Sequence, residues 1–105
     1  MQNYQHNRHQ KFYELMEYKE IRSLSDKFAK IHSKSFNQKN LKYSSDFILS
    51  LLKNPKISYI YKKNKGFCIF SCNEKEAEII TMAILPKYQN QGIGFLILTE
   101  LEGIL

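Results

Sequence analysis

Helices are predicted where apolar residues recur every three or four positions along the chain. The first is a turn or two around Phe12, Leu15 and Met16, and the second is a helix capped by Ser23 or Ser25 that buries Phe28, Ile31 and His32. The third is capped by Ser44, Ser45 or Asp46 and has the apolar stripe Phe47, Ile48, Leu51 and Leu52. The last begins near Gly92 and has the apolar residues Ile93, Leu96, Ile97, Leu101, Ile104 and Leu105. Asn54 and Pro55 end the third of these helices, because proline cannot continue it.

Strands are predicted where β-branched and aromatic residues form short runs. Tyr18–Ile21 is such a run and predicts a first strand. Ile57–Tyr61 and Gly66–Cys72, separated by four polar residues, predict an antiparallel hairpin with Asn64 at a positive φ in its turn. Ala77–Leu85 is almost continuously apolar and ends before Pro86, which predicts a third antiparallel strand covered on both faces.

The size of the chain, 105 residues, allows one small domain, and seven Tyr and seven Phe are enough large side chains to fill its core. Residues 1–15 are predicted to be a polar N-terminal extension, and residues 16–105 the domain itself. Met16 is an alternative start. The N-terminus has no apolar signal core and no run is long enough to span a bilayer, so we expect no membrane association and a cytoplasmic location.

Positive charge is concentrated in the first part of the chain, and the formal net charge is +6. Residues 1–65 have a balance of +9, whereas residues 66–105 have a balance of −3. A Lys-rich face can attract RNA, nucleotides or anionic lipid without specificity. A solvated surface explains the same pattern more simply, so no specific nucleic acid is expected as a partner.

Cysteine and histidine do not form a metal-binding pattern. Cys68 and Cys72 lie four apart, which on a strand places both on one face, and we expect them to be reduced core or half-core residues. His6, His9 and His32 are scattered, without Cys or carboxylates at ligand spacing. No metal site is predicted.

The chemically informative segment runs from Ile84 to Phe95, where a strand leads into a short loop, two glycines and a helix. The first turn of a helix has N–H groups without intrahelical partners and a dipole that favours negative charge. Glycine allows a phosphate to approach such a main chain closely. The pattern Gln-x-x-Gly-x-Gly fits neither the P-loop nor Gly-x-Gly-x-x-Gly. By itself it also fits an ordinary strand-to-helix turn.

With the strand included, residues 77–94 (AEIITMAILPKYQNQGIG) resemble the acetyl-CoA motif of the GNAT superfamily of N-acetyltransferases. Within that superfamily the segment is most similar to the bacterial enzymes that acetylate the N-terminal alanine of a ribosomal protein. The similarity is close from Ala77 to about Leu101 and loose upstream, where those enzymes usually carry a Trp after the Phe36 position and this chain has no Trp.

The resemblance implies an α+β, three-layer fold with a mixed, mostly antiparallel sheet flanked by helices. It also implies acetyl-CoA as the acetyl donor and an amine, such as the N-terminus of a ribosomal protein, as the acceptor. Main-chain groups of Met82, Ala83 and Ile84 would pair with the pantetheine arm. N–H groups along the following loop and first helical turn would hold the diphosphate: Asn90, Gln91, Gly92, Ile93, Gly94 and Phe95.

In the similar enzymes the general base and the general acid are a Glu and a Tyr after this helix, so no catalytic residue is assigned here. Tyr88 is expected to pack, and Glu100 and Glu102 to be solvated. We further expect a C-terminally truncated domain that lacks the last strands of the sheet and can self-associate through an exposed sheet edge. The alternative hypothesis is a non-catalytic remnant that binds a partner protein or RNA through its Lys-rich half.

Overall fold

The computed structural model describes the backbone of residues 2–36 and 43–104, and side chains from residue 15 onward within those ranges. The elements are α1 (Gln2–Phe36), α2 (Ser45–Leu52), β1 (Ile57–Lys62), β2 (Gly66–Cys72), β3 (Ala77–Ile84), a 3₁₀ turn (Pro86–Tyr88) and α3 (Ile93–Ile104). The predictions for the side chain of Phe12 and for Leu105 lie outside these residues.

A single long helix, α1, replaces the strand that was predicted at Tyr18–Ile21. The prediction is wrong because Ile21 continues a helical stripe with Leu24 and Phe28, and no Gly or Pro interrupts the segment. Ser25 does not cap a helix either: its hydroxyl donates to the Ile21 carbonyl oxygen at 2.7 Å, one turn earlier in the same helix. Phe28 and Ile31 are buried and His32 is half-buried, as predicted.

Helix α2 begins as the sequence predicts, with Ser44 as its N-cap. The Ser44 hydroxyl oxygen accepts from the Phe47 N–H at 3.2 Å. The predicted apolar stripe is partly wrong, because Ile48 and Leu49 are the buried residues and Phe47 is exposed. The helix packs on α1, and Arg22 of α1 pairs with Asp46 at 2.7 Å.

The sheet is antiparallel with the order β1-β2-β3. The hairpin of β1 and β2 is confirmed, and Asn64 in its turn has φ 59°. Strand β3 is also confirmed, but it ends at Ile84, one residue before the predicted end. Ile69 pairs with Thr81 and Phe70 pairs with Ile79, so Ile80 is an extra residue that forms a β-bulge.

Helices cover both faces of this sheet, which confirms the three-layer α+β architecture. On one face, α1 and α2 bury Phe28, Ile31 and Ile48 against Phe67, Ile69 and Ala83. On the other face, α3 buries Ile93, Ile97 and Leu101 against Ile60, Cys68 and Phe70. None of the described helices combines the length and apolar character needed to cross a bilayer.

Phe28 is the central side chain of the first core. It is fully buried, its ring stacks on Phe67 with the centroids 4.3 Å apart, and the edges of Tyr59 and Tyr61 contact it. We expect Phe28→Ala to lower the free energy of unfolding by about 3–5 kcal/mol, because it leaves a cavity between α1 and the sheet. Leu15→Ala, at a half-exposed position on the same helix, is the control and should change it by less than about 0.5 kcal/mol. Equal effects in urea denaturation would contradict the packing described.

Cys68 and Cys72 both face α3, as their spacing predicts, and both are free thiols. Cys68 is fully buried, and burial raises the pKa of its thiol to about 11. Because the thiolate is the reactive form, we expect a disulfide reagent at neutral pH to modify Cys72 in the folded protein and Cys68 only after unfolding. In Cys72→Ser, the reagent should react with Cys68 only at the rate at which the whole protein unfolds. Rapid reaction of Cys68 in that folded variant would contradict its burial.

Candidate functional site

One side of the candidate site is the free edge of β3, which pairs with no strand in the residues that the structure describes. Leu85 N–H donates to the Lys65 carbonyl oxygen at 2.8 Å, which makes Gly66 and Ile84 a non-hydrogen-bonded pair. The main-chain groups of Ile84 therefore point away from β2, and by alternation those of Met82 do as well. Ala83, opposite Phe67, turns its main-chain groups towards β2. Of the three residues predicted to pair with pantetheine, Met82 and Ile84 have the favourable orientation.

The Ile84 carbonyl oxygen on that edge already has side-chain donors. Ser35 Oγ lies 2.8 Å from it and Gln89 Nε2 lies 2.9 Å from it. Ser35 also lies 2.7 Å from the Ile31 carbonyl oxygen, so its single proton is shared between two acceptors. Within the described ranges, these contacts leave the Met82 main chain and the Ile84 N–H as the open groups of this end of the edge. They also fix α1 and the following loop to the end of β3.

The loop after β3 curves because two of its residues have positive φ, 62° at Asn90 and 83° at Gly92. Gln91 between them has a negative φ, as does Ile93 after them. Successive residues of alternating hand turn their N–H groups into one concavity, an arrangement that binds anions. Gln91 stabilises the curve, since its side-chain amide donates to the Lys87 carbonyl oxygen at 3.0 Å.

Helix α3 starts directly from this loop, with its first helical bond from Leu96 N–H to the Gly92 carbonyl oxygen at 3.0 Å. The N–H groups of residues 90–95 donate to no acceptor in the part of the chain that the structure describes. Six consecutive donors at the positive end of a helix dipole form a site suited to a diphosphate.

The two glycines of the motif act differently. Gly92 needs its positive φ, and a Cβ there would meet nothing within 4 Å, so the main chain is bare on its outer side. At Gly94 a Cβ would lie 3.3 Å from Ile84 Cδ1, so this glycine allows α3 to start close against β3. The first glycine therefore shapes the donor surface and the second positions the helix.

The structure brings the predicted cofactor residues to one end of β3. Asn90, Gln91 and Gly92 are exposed in the loop, and Ile93 is buried under it in the α3 core. Phe95 projects outward with 73% of its surface exposed.

Lysines also reach this loop, although its own sequence is not basic. The Lys65 and Lys87 ammonium nitrogens lie 5.5 and 5.8 Å from the centre of the Tyr88 ring. Tyr88 itself packs against the α3 core, in agreement with the packing role expected from sequence. Lys65 belongs to the β1–β2 turn, so the sequence around the motif gave no sign of it. Charge from the basic part of the chain thus lies beside the loop.

The sequence profile of the acetyltransferase (GNAT) family matches residues 19–105, which include the sheet, the loop and α3. The chain belongs to this family. Members of the GNAT family use acetyl-CoA as the acyl donor, and the donor-rich loop of residues 90–95 suits the diphosphate of that molecule. A search among curated proteins finds no significant match.

Two further residues near this site were not predicted to have a role there. His32 Nε2 lies 3.2 Å from Thr81 Oγ1, beside the β-bulge, and its ring stacks on Tyr43 with the centroids 4.3 Å apart. Ser35 lies about one turn later on the same helix, α1. The resemblance upstream of residue 77 was too loose to assign functions to either. The described residues contain no group of three His, Cys, Asp or Glu side chains that could hold a metal ion.

Burial lowers the pKa of His32 below its ordinary value of about 6.5. The folded state favours the neutral ring, so the unfolded chain binds the proton first as the pH falls. This contribution to stability is complete above about pH 6.5 and is lost as the pH falls towards the folded pKa. We therefore expect the free energy of unfolding of the wild type minus that of His32→Gln to be smaller at about pH 5 than at about pH 8. Urea denaturation of both proteins at both pH values measures this difference in free energy. A difference that is larger at the lower pH would contradict a lowered pKa of His32.

Proposed function

We propose that this chain binds acetyl-CoA along the free edge of β3 and at the N-terminus of α3, and that it functions in the transfer of the acetyl group to an amine. The observation that carries the proposal is the row of unpaired N–H groups at residues 90–95, continuous with the outward-facing main chain of Met82 and Ile84. Both features belong to the main chain. They explain how a loop whose single basic residue is Lys87 can hold phosphates.

The Met82 main chain has a further use in this proposal. When bound, acetyl-CoA supplies the acetyl group as a thioester, whose carbonyl oxygen gains negative charge as an amine attacks. An outward-facing N–H on a strand held by β2 is a preorganised donor for such an oxygen. Met82 N–H has that orientation, and the Met82 side chain packs into the α3 core, which fixes the backbone.

The proposal assigns no residue to the proton transfers. Tyr88 packs on the α3 core, and Glu100 is exposed on α3, as expected, where it forms an ion pair with Lys62 of β1. Glu102 is exposed on α3.

For the acceptor, we extend the proposal to a protein N-terminal amine. The support is the similarity of residues 77–101 to enzymes that acetylate the N-terminal alanine of a ribosomal protein. A peptide with an N-terminal Ala and the same peptide with its N-terminus blocked, each incubated with the protein and acetyl-CoA, test it by mass spectrometry. Acetylation of the free N-terminus only is the expected result. Acetylation of lysine side chains in both peptides would contradict this acceptor and would point to a side-chain amine.

Phe95 offers a direct test of the N–H donors. Proline is tolerated in the first turn of a helix but has no N–H, and the exposed Phe95 side chain contributes little to the core. Phe95→Pro should therefore fold and lose one charge-assisted hydrogen bond to the diphosphate. We expect acetyl-CoA to bind at least about tenfold more weakly in isothermal titration calorimetry, since such a bond contributes about 1.5–3 kcal/mol.

Phe95→Ala is the matched control, because it removes the same ring and keeps the N–H. Its affinity for acetyl-CoA should stay within about twofold of the wild type. If the proline and alanine variants bind equally well, the main-chain donors do not hold the coenzyme. If the folded wild type shows no binding at all, the proposed function is lost.

A further inference from the structure

A cleft lined by both charged and apolar side chains lies on the opposite side of the sheet from α3. It has a volume of about 260 Å³ and is formed by α1, the β1–β2 hairpin and the residue after β3. Its lining residues are Lys27, Lys30, Ile31, Lys34, Tyr61, Asn64 and Leu85. No acidic side chain is among them.

The three lysines of this cleft lie on one side of α1. Their spacing of three and four residues aligns Lys27, Lys30 and Lys34 along the helix. None of the three forms an ion pair with a carboxylate in the segments that the structure describes. Three ammonium groups around one small cleft repel each other, and an anion between them would remove that repulsion.

The neutral polar groups of the cleft are donors as well. Tyr61 Oη accepts a hydrogen bond from Asn64 N–H at 3.2 Å, which leaves its own proton free to donate. The Asn64 side chain adds an amide with two N–H groups. The cleft therefore offers several donors to a ligand group with several acceptor oxygens.

The floor of the cleft is apolar and rigid. Ile31 is buried in the α1 core, and Tyr61 and Leu85 pack against the same core. Asn64 is held by the hairpin turn, where it has φ 59°. The ligand group therefore meets ammonium groups on the helix side and apolar surface beneath, in a shape that is present without the ligand.

We propose that this cleft, the α1 cleft, binds a phosphate monoester, with the phosphate between the three lysines and the attached organic group on Ile31, Tyr61 and Leu85. A phosphate monoester has up to two negative charges and three acceptor oxygens, which match the charge and donors present. The volume, about 260 Å³, lies just below the usual range for ligand sites, about 300–1,000 Å³, so the cleft suits a group no larger than one nucleotide. An acidic peptide would need a longer groove.

This inference does not depend on the proposed acetyl-CoA site. The α1 cleft lies on the face covered by α1, whereas α3 and its N–H groups lie on the other face. The phosphate can belong to a free phosphorylated metabolite or to the monoester of coenzyme A itself. Both sources share the chemistry, and comparing coenzyme A with dephospho-coenzyme A distinguishes them.

Titration of the full chain with AMP, followed by calorimetry or NMR, tests the proposal, with adenosine and a short glutamate-rich peptide as comparison ligands. The test variant carries Lys27→Gln, Lys30→Gln and Lys34→Gln. The matched control carries Lys19→Gln, Lys56→Gln and Lys75→Gln, which removes the same charge from exposed positions outside the cleft. We expect AMP to bind, adenosine not to bind, and the test variant to weaken AMP binding at least about tenfold while the control weakens it less than about threefold.

Equal weakening by both triple variants would reduce the effect to net charge and overturn the proposal. So would absence of AMP binding to the folded protein, binding of adenosine with the same affinity, or tighter binding of the acidic peptide that depends on the same three lysines. If the test variant weakens coenzyme A but not dephospho-coenzyme A, the phosphate is that of the coenzyme; if it affects neither, the phosphate comes from another molecule. Phe95→Pro should leave AMP binding unchanged, so failure of one site is distinguishable from failure of the other.

Discussion

Strand β3 determines most of what this molecule can do, because it is covered on both faces and, among the described residues, pairs with another strand on one edge only. Its side chains enter two cores, Ala83 under α1 and Met82 under α3. Pairing with β2 satisfies only alternate main-chain groups, so those of Met82 and Ile84 face outward. Such a strand is rigid enough to act as a template and still has hydrogen bonds to offer. Pairing of an extended ligand with a sheet edge is a common way of using them.

The loop after β3 continues this exposed main chain onto a helix. Ser35 and Gln89 hold the Ile84 carbonyl, Asn90 and Gly92 reverse the local hand of the backbone, and Gly94 lets α3 start close to the strand. The result is one surface of N–H groups that extends from a strand edge to a helix N-terminus. Lys65 and Lys87 add positive charge beside it, but they lie around Tyr88 and do not form the concavity themselves.

The sequence was most informative where local chemistry decides the structure. The Ser44 cap, the hairpin with Asn64, strand β3 and the start of α3 all follow from short patterns, and residues 77–94 identified the family. It was least informative about α1, because Tyr18–Ile21 has strand-forming residues but is part of a longer helical stripe. The contacts of Ser35 and His32 with β3, and of Lys65 with Tyr88 after it, join residues far apart in the chain. No local pattern predicts such contacts. The α1 cleft could not be predicted for the same reason, because its lining residues come from distant parts of the chain.

The central claim is that main-chain N–H groups, and not basic side chains, hold the diphosphate of acetyl-CoA. A titration of ¹⁵N-labelled protein with coenzyme A, observed through the backbone amide resonances, tests this claim most directly. The account predicts that the largest shifts occur at residues 90–95 and at Met82, saturating together, with little change along β1. A folded protein in which these amides do not respond to about millimolar coenzyme A, or in which only resonances near the lysines respond, would contradict it.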